Sequence, residues 1–130
     1  MILIDESVPE HQISLLRNWR LHVRVVGVEI ARLGIKDDDL LPVLHGLPRP
    51  TFITLDDDFY QRKYCHAGYC EGYVDTAAKF TAAHIRRFLK HPGFNTQAKR
   101  MGAVVRIRPA GLNFWRLHNP EEDFAPWPQE

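Results

Sequence analysis

At 130 residues and 45% hydrophobic content, the chain is long enough for one domain with a substantial core, and its composition excludes a disordered or fibrous protein. No apolar run approaches the roughly 20 residues that span a bilayer, and the opening MILIDES gains charge too early for a secretory signal. A cytoplasmic protein with no membrane partner is the expectation.

Ile2-Leu3-Ile4 is a short apolar run closed by Asp5-Glu6, the pattern of a buried strand with carboxylates at its carboxyl end. Pro9 opens a helix whose apolar face is Ile13, Leu15, Leu16 and Trp19. A second strand follows over His22 to Val26. After Gly34 the aspartates 37 to 39 open another helix, where their charge suits the amino terminus, with Leu40, Leu41 and Leu44 as its buried stripe. Gly46-Leu47-Pro48 ends it, and residues 51–55 form the third strand. Residues 59–68 read as a short helix or loop, and Tyr69 to Val74 as a fourth strand closed by Asp75. Thr81 through Leu89 has helical spacing at Ile85, Phe88 and Leu89 before His91-Pro92-Gly93 breaks it. Ala103 to Ile107 is a fifth strand, and Gly111 to Leu117 a sixth, expected antiparallel. The expected domain is 1–118, followed by a C-terminal tail, 119–130, draped over the surface or frayed. Strands alternating with helices predict an α/β fold with a mostly parallel central sheet.

Charge is unevenly distributed along this order. Residues 1–75 carry twelve of the sixteen acids, whereas Thr76 to His118 contains no Asp or Glu and nine Lys or Arg. An acidic centre from one half and an anion-binding surface from the other would follow, with Arg86, Arg87, Lys90, Lys99 and Arg100 as candidate nucleic-acid contacts, unless these cations only solvate exposed faces. Phe94, Phe114 and Trp115 could stack on unpaired bases or fill the core. Cys65 and Cys70, around His66, are too few for a disulfide scaffold or a zinc site, and read as reduced thiols.

Ligands of open parallel sheets bind beyond the carboxyl ends of the strands, near the point where strand order reverses. Asp5 follows strand one, Asp56, Asp57 and Asp58 follow strand three, and Asp37 and Asp38 open the helix leading into strand three. If strands one and three are neighbours, these carboxylates converge. Their mutual repulsion is most simply offset by a hard divalent cation, Mg²⁺ or Mn²⁺, which takes oxygen ligands. Asp37 would otherwise serve as a helix cap, and Asp57 as a solvated turn residue. A cation held by carboxylates supports metal-assisted phosphodiester hydrolysis. A phospho-acceptor domain also gathers acids at strand tips, but it would place a lysine at the end of its last strand, where this chain has Arg108 and Leu117.

Three ordered motifs, "LIDESVP", "GIKDDDLL" and "TLDDDF", resemble the PIN-like family called DUF5615, compact relatives of PIN-domain ribonucleases that include the VapC-type toxins of toxin–antitoxin modules. The likeness covers most of the first 60 residues, and "IRRFLKHPGF" with "AKRMG" is similar to segments of longer members. It implies a three-layer α/β/α PIN-like fold and a Mg²⁺- or Mn²⁺-dependent endoribonuclease acting on RNA, with an antitoxin protein as a possible partner and pairing into a homodimer. It also implies Asp5 as the strand-one ligand, Asp37 as the acid opening the next helix with Asp38 as its register alternative, Asp56 after the third strand, and Asp58 as its neighbour. Asp5, Asp37, Asp56 and Asp58 would be catalytic, with Glu6, Ser7 and Thr54 in support. Ser7 stands where the family usually has Asn, and a further PIN acid on an early helix has only Glu6 or Glu29 as counterparts. A catalytically weak module that binds RNA or protein is the alternative.

Overall fold

The computed structural model describes residues 1–27 and 37–129, with the side chains of Asp37 and Asp38 outside the described set. The elements in chain order are β1 (Ile2–Ile4), α1 (Glu10–Asn18), β2 (Val23–Val25), α2 (Asp37–His45), β3 (Thr51–Thr54), β4 (Cys70–Val74), α3 (Thr81–Lys90), α4 (Gln97–Arg100), β5 (Ala103–Arg108), β6 (Gly111–Arg116) and β7 (Asp123–Ala125). Single 3-10 turns at Asp57–Phe59 and Arg62–Tyr64 fill the stretch between β3 and β4.

The strands form one sheet in the order β2-β1-β3-β4-β5-β6-β7. Pairing is parallel from β2 through β5 and antiparallel from β5 to β7. Because side chains alternate across a strand, β1 and β3 feed two cores. Ile4 and Ile53 join Ile13 and Leu16 of α1 and Ile85 and Phe88 of α3 on one face. Leu3 and Phe52 join Leu40 and Leu44 of α2 on the other. The result is an α/β fold with a seven-stranded, mostly parallel sheet covered by helices on both faces. No described helix is long and apolar enough to cross a membrane.

Local departures from the sequence pattern have local causes. Leu15, expected on the apolar face of α1, is 37% exposed, and Gln12 is buried instead. Its Oε1 accepts the Ala82 N–H at 2.9 Å, satisfying one of the free donors in the first turn of α3. α4 was not visible as a helix because it is a single turn; Thr96 caps it by accepting the Lys99 N–H at 3.2 Å.

The C-terminal segment differs most from expectation. A two-residue turn at Pro109-Ala110 joins β5 to β6, and β7 pairs with β6 through Leu112↔Ala125 and Phe114↔Asp123. Gly111 has φ 145°, and a Cβ there would lie 2.7 Å from the Ala125 carbonyl oxygen, so glycine is what lets β7 approach. Trp127 then packs against the main core, and its indole N–H donates to the Arg108 carbonyl at 2.8 Å. The Arg87 guanidinium lies 4.2 Å from its ring centroid. Asp123 to Ala125 thus extend the sheet, and Trp127 packs onto its core.

Trp127→Ala should therefore lower the unfolding free energy by about 2 kcal/mol, less than the ~3–5 kcal/mol of a fully buried tryptophan because this ring is only partly covered. Urea unfolding of the variant beside the wild type measures it. An unchanged midpoint would mean that the segment contributes nothing to the fold.

Candidate functional site

The strand order reverses at β1, which has β2 on one side and β3 on the other. The Asp5 N–H donates to the Ile53 carbonyl at 2.8 Å, extending the β1–β3 ladder by one rung and setting Asp5 beside the tip of β3. Its Oδ2 accepts two hydroxyls, Ser7 Oγ and Thr54 Oγ1, each at 2.7 Å. Each hydroxyl in turn accepts a backbone N–H: Ser7 from Leu55 at 3.3 Å and Thr54 from Asp56 at 3.0 Å. Those N–H bonds occupy the hydroxyl lone pairs and direct both protons toward Asp5. Thr54 is fully buried, so its hydroxyl joins the two strand tips away from water.

Asp56 turns the chain out of β3 and caps the following 3-10 turn, with Oδ1 accepting the Asp58 N–H at 2.9 Å. One carboxylate oxygen from each of Asp56, Asp57 and Asp58 lies within 4.8 Å of the others. In Asp5 and Asp56 alike, one oxygen is held by the protein and the other has no protein donor among the described residues. The cluster of Asp56, Asp57 and Asp58 offers only oxygen ligands, and Asp5, at the neighbouring strand tip, is not among the carboxylates brought within that spacing. Glu6 is exposed beside Ser7. The side chains of Asp37 and Asp38, and all of Glu29, lie outside the described residues; the backbone of Asp37 begins α2.

Asp75, the acid closing β4, is used differently. The Arg106 guanidinium donates to its Oδ2 through Nε at 2.8 Å and Nη2 at 2.5 Å, and that bond raises the arginine's own proton affinity. Nearby, Tyr60 donates its hydroxyl to Glu122 at 2.8 Å, tying the turn after the aspartates to the C-terminal segment. Burial and that carboxylate push the phenol far above its ordinary range. Neither link was legible, since partners 31 and 62 residues apart leave no local signal.

The predicted nucleic-acid residues mostly have partners within their own part of the fold. Arg100 is buried, donating to Thr51 Oγ1 and the Phe94 carbonyl, each at 2.9 Å, and burial lowers its proton affinity. Its guanidinium is thus used to tie β3 to the loop before α4. Lys99 bonds the Pro92 carbonyl and Asn95 of its own loop. Arg86 lies 3.8 Å from the Trp19 ring centroid and Arg87 stacks on Trp127, while Lys90 is exposed at the end of α3. Phe94 and Phe114 are core residues; Trp115 is half-buried.

Both cysteines are free. Cys70 is wholly buried at the start of β4, and burial pushes its thiol from 9.0 up to about 12. The thiol therefore ionises more readily in the unfolded chain, so its contribution to stability is complete below pH 9.0 and is lost as pH rises toward about 12. Stability should fall over that window, with a shallower slope in Cys70→Ala, and Cys70 should resist alkylation until the protein unfolds.

Thr54→Val should cost about 1–3 kcal/mol, because it strips one donor from Asp5 and leaves the Asp56 N–H without its acceptor. Thr54→Ser should restore most of that loss in denaturant unfolding. Equal stability of the valine and serine variants would show that the hydroxyl does not link the strand tips. None of the protein-family models, curated proteins or solved structures compared with the chain matches it.

Proposed function

We propose that the protein is a Mg²⁺- or Mn²⁺-dependent endoribonuclease of PIN-like type, hydrolysing RNA phosphodiesters at the carboxyl edge of the β1–β3 pair. The observation that carries this reading is Asp5, fixed by two hydroxyls at the point of strand reversal, with the Asp56–Asp58 cluster at the adjacent strand tip. The cation would be held by Asp5, Asp56 and Asp58, with Asp37 or Asp38 completing the set from the start of α2. When bound, it would polarise the scissile phosphate and lower the pKa of a bound water.

The chain's own residues have simpler tasks. Ser7 and Thr54 hold Asp5 in one rotamer, so no reorientation is needed as substrate enters. The backbone cap at Asp58 holds Asp56 in the same way. Pairing of Asp75 with Arg106 keeps that acid out of the ligand set and balances its charge. A protein partner that covers the carboxylates, as an antitoxin would, or pairing with a second copy, is compatible with this site and follows from the resemblance alone.

Mn²⁺ titration by calorimetry of the wild type, Asp5→Asn and Asp56→Asn, with RNA cleavage assayed on the same samples, tests the reading. Binding and cleavage in the wild type, each reduced at least about 100-fold in both variants, is the expected result. A wild type that neither binds Mn²⁺ nor cleaves would overturn it and favour a PIN-like module that recognises RNA or protein without cutting.

A further inference from the structure

The opposite edge of the sheet carries a second, basic site. In a parallel sheet the crossover helices run back against the strands, so α1, which leaves β1 near Asp5, ends at the amino edge. There a cavity of about 820 Å³ is lined by Arg17, Arg20, His22 and Arg24 together with an apolar wall that includes Ile2, Leu21 and Val23. No acid lines it. Arg20 and Arg24 are exposed and make no ion pair among the described residues.

Arg20 stands there at a conformational cost. α1 ends in a Schellman motif, with the Arg20 N–H donating to the Arg17 carbonyl at 2.9 Å and the Leu21 N–H to the Leu16 carbonyl at 3.0 Å. This places Arg20 at the left-handed position, φ 65°, where glycine is the usual and less strained residue. The motif itself would close as well or better with glycine, and Arg49 is the other non-glycine residue with positive φ among the described residues, at φ 51°. What glycine would lack is the guanidinium beside the cavity. The left-handed position sets Arg20 among the residues that line the cavity, adding its charge to that of Arg24.

The lining chemistry selects the kind of ligand. The guanidiniums of Arg20 and Arg24 present planar forks that match phosphate oxygens, which bind such forks in two-point fashion. The volume falls in the range of small-molecule sites, about 300–1,000 Å³, and the wall of Ile2, Leu21 and Val23 offers an apolar surface for the rest of the molecule. We propose that this amino-edge cavity binds a phosphomonoester of nucleotide size, carried by a free nucleotide or by the phosphorylated end of an RNA strand. The site shares no residue with the acidic centre and does not depend on that centre's activity.

Calorimetry in metal-free buffer at fixed salt would compare three probes: adenosine 5′-monophosphate, a 5′-phosphorylated 2′-O-methyl oligonucleotide, and its 5′-hydroxyl counterpart. The 2′-O-methyl groups prevent cleavage, and the absence of metal keeps the acidic centre idle. The expected result is wild-type binding of a phosphorylated probe, weakened at least about tenfold in Arg20→Gly and in Arg24→Gln. Arg20→Gly should also keep or raise the melting temperature, so lost affinity would not reflect unfolding. Binding of the monophosphate would assign a free nucleotide; binding of the phosphorylated oligonucleotide alone would assign an RNA end. Equal affinity for the 5′-hydroxyl oligonucleotide, no binding of either phosphorylated probe, or unchanged affinity in both variants would overturn the proposal.

Discussion

The parallel pairing of β1 with β3 is the constraint on which the rest depends. Register Ile4↔Ile53, extended by the Asp5 N–H to the Ile53 carbonyl, fixes Asp5 beside Thr54 although 49 residues separate them. The same pairing sends Ile4 and Ile53 to one core and Leu3 and Phe52 to the other. Because side-chain facing has a period of two, a slip of one residue would expose both cores and separate the carboxylate from its hydroxyls together. Site geometry and core burial are therefore enforced by one register.

Direction matters as much as register. A parallel sheet gives all its central strands the same polarity, so residues just after strands gather at one edge and residues at the ends of the crossover helices gather at the other. Asp5, Asp56 and Asp75 follow β1, β3 and β4, whereas Arg17 and Lys90 end α1 and α3. The two edges thus differ in charge for a topological reason rather than because of the division along the chain: the amino-edge arginines come from the acid-rich half, and Arg106 of the basic half pairs with Asp75 at the carboxyl edge. Electrostatically the molecule is polar along its strands, with each end suited to a different charge.

Elements longer than a turn were legible because burial imposes a period that short-range chemistry does not disturb. β1, β3 and α3 follow their apolar patterns within a residue or two, and the acidic tips of β1 and β3 were visible because Asp directly after a buried run is unusual. β7 was not legible: its three residues, Asp-Phe-Ala, carry no alternation of their own, and their pairing depends on the glycine at 111 admitting them. Arg100 was misread for a related reason. A run of cations suggests a solvated or phosphate-binding face, but Thr51 Oγ1 and the Phe94 carbonyl become acceptors for a guanidinium only once the fold brings them together. The amino-edge arginines likewise converge from α1, the turn after it and β2, and the strain at Arg20 exists only in the folded backbone.

The acidic site also shows how one side chain can serve both fold and chemistry. In Asp5 and Asp56 the oxygen that accepts hydrogen bonds from the protein sets the position of the other oxygen. An asparagine keeps a carbonyl oxygen able to accept those same bonds while removing the negative charge, so it separates positioning from cation affinity. Alanine removes both and leaves the Ser7 and Thr54 protons, or the Asp58 N–H, without an acceptor, a loss that registers as instability whatever the chemistry. The charge is therefore dispensable to the local hydrogen-bonded structure, and a folded Asp5→Asn protein would isolate what that charge is for.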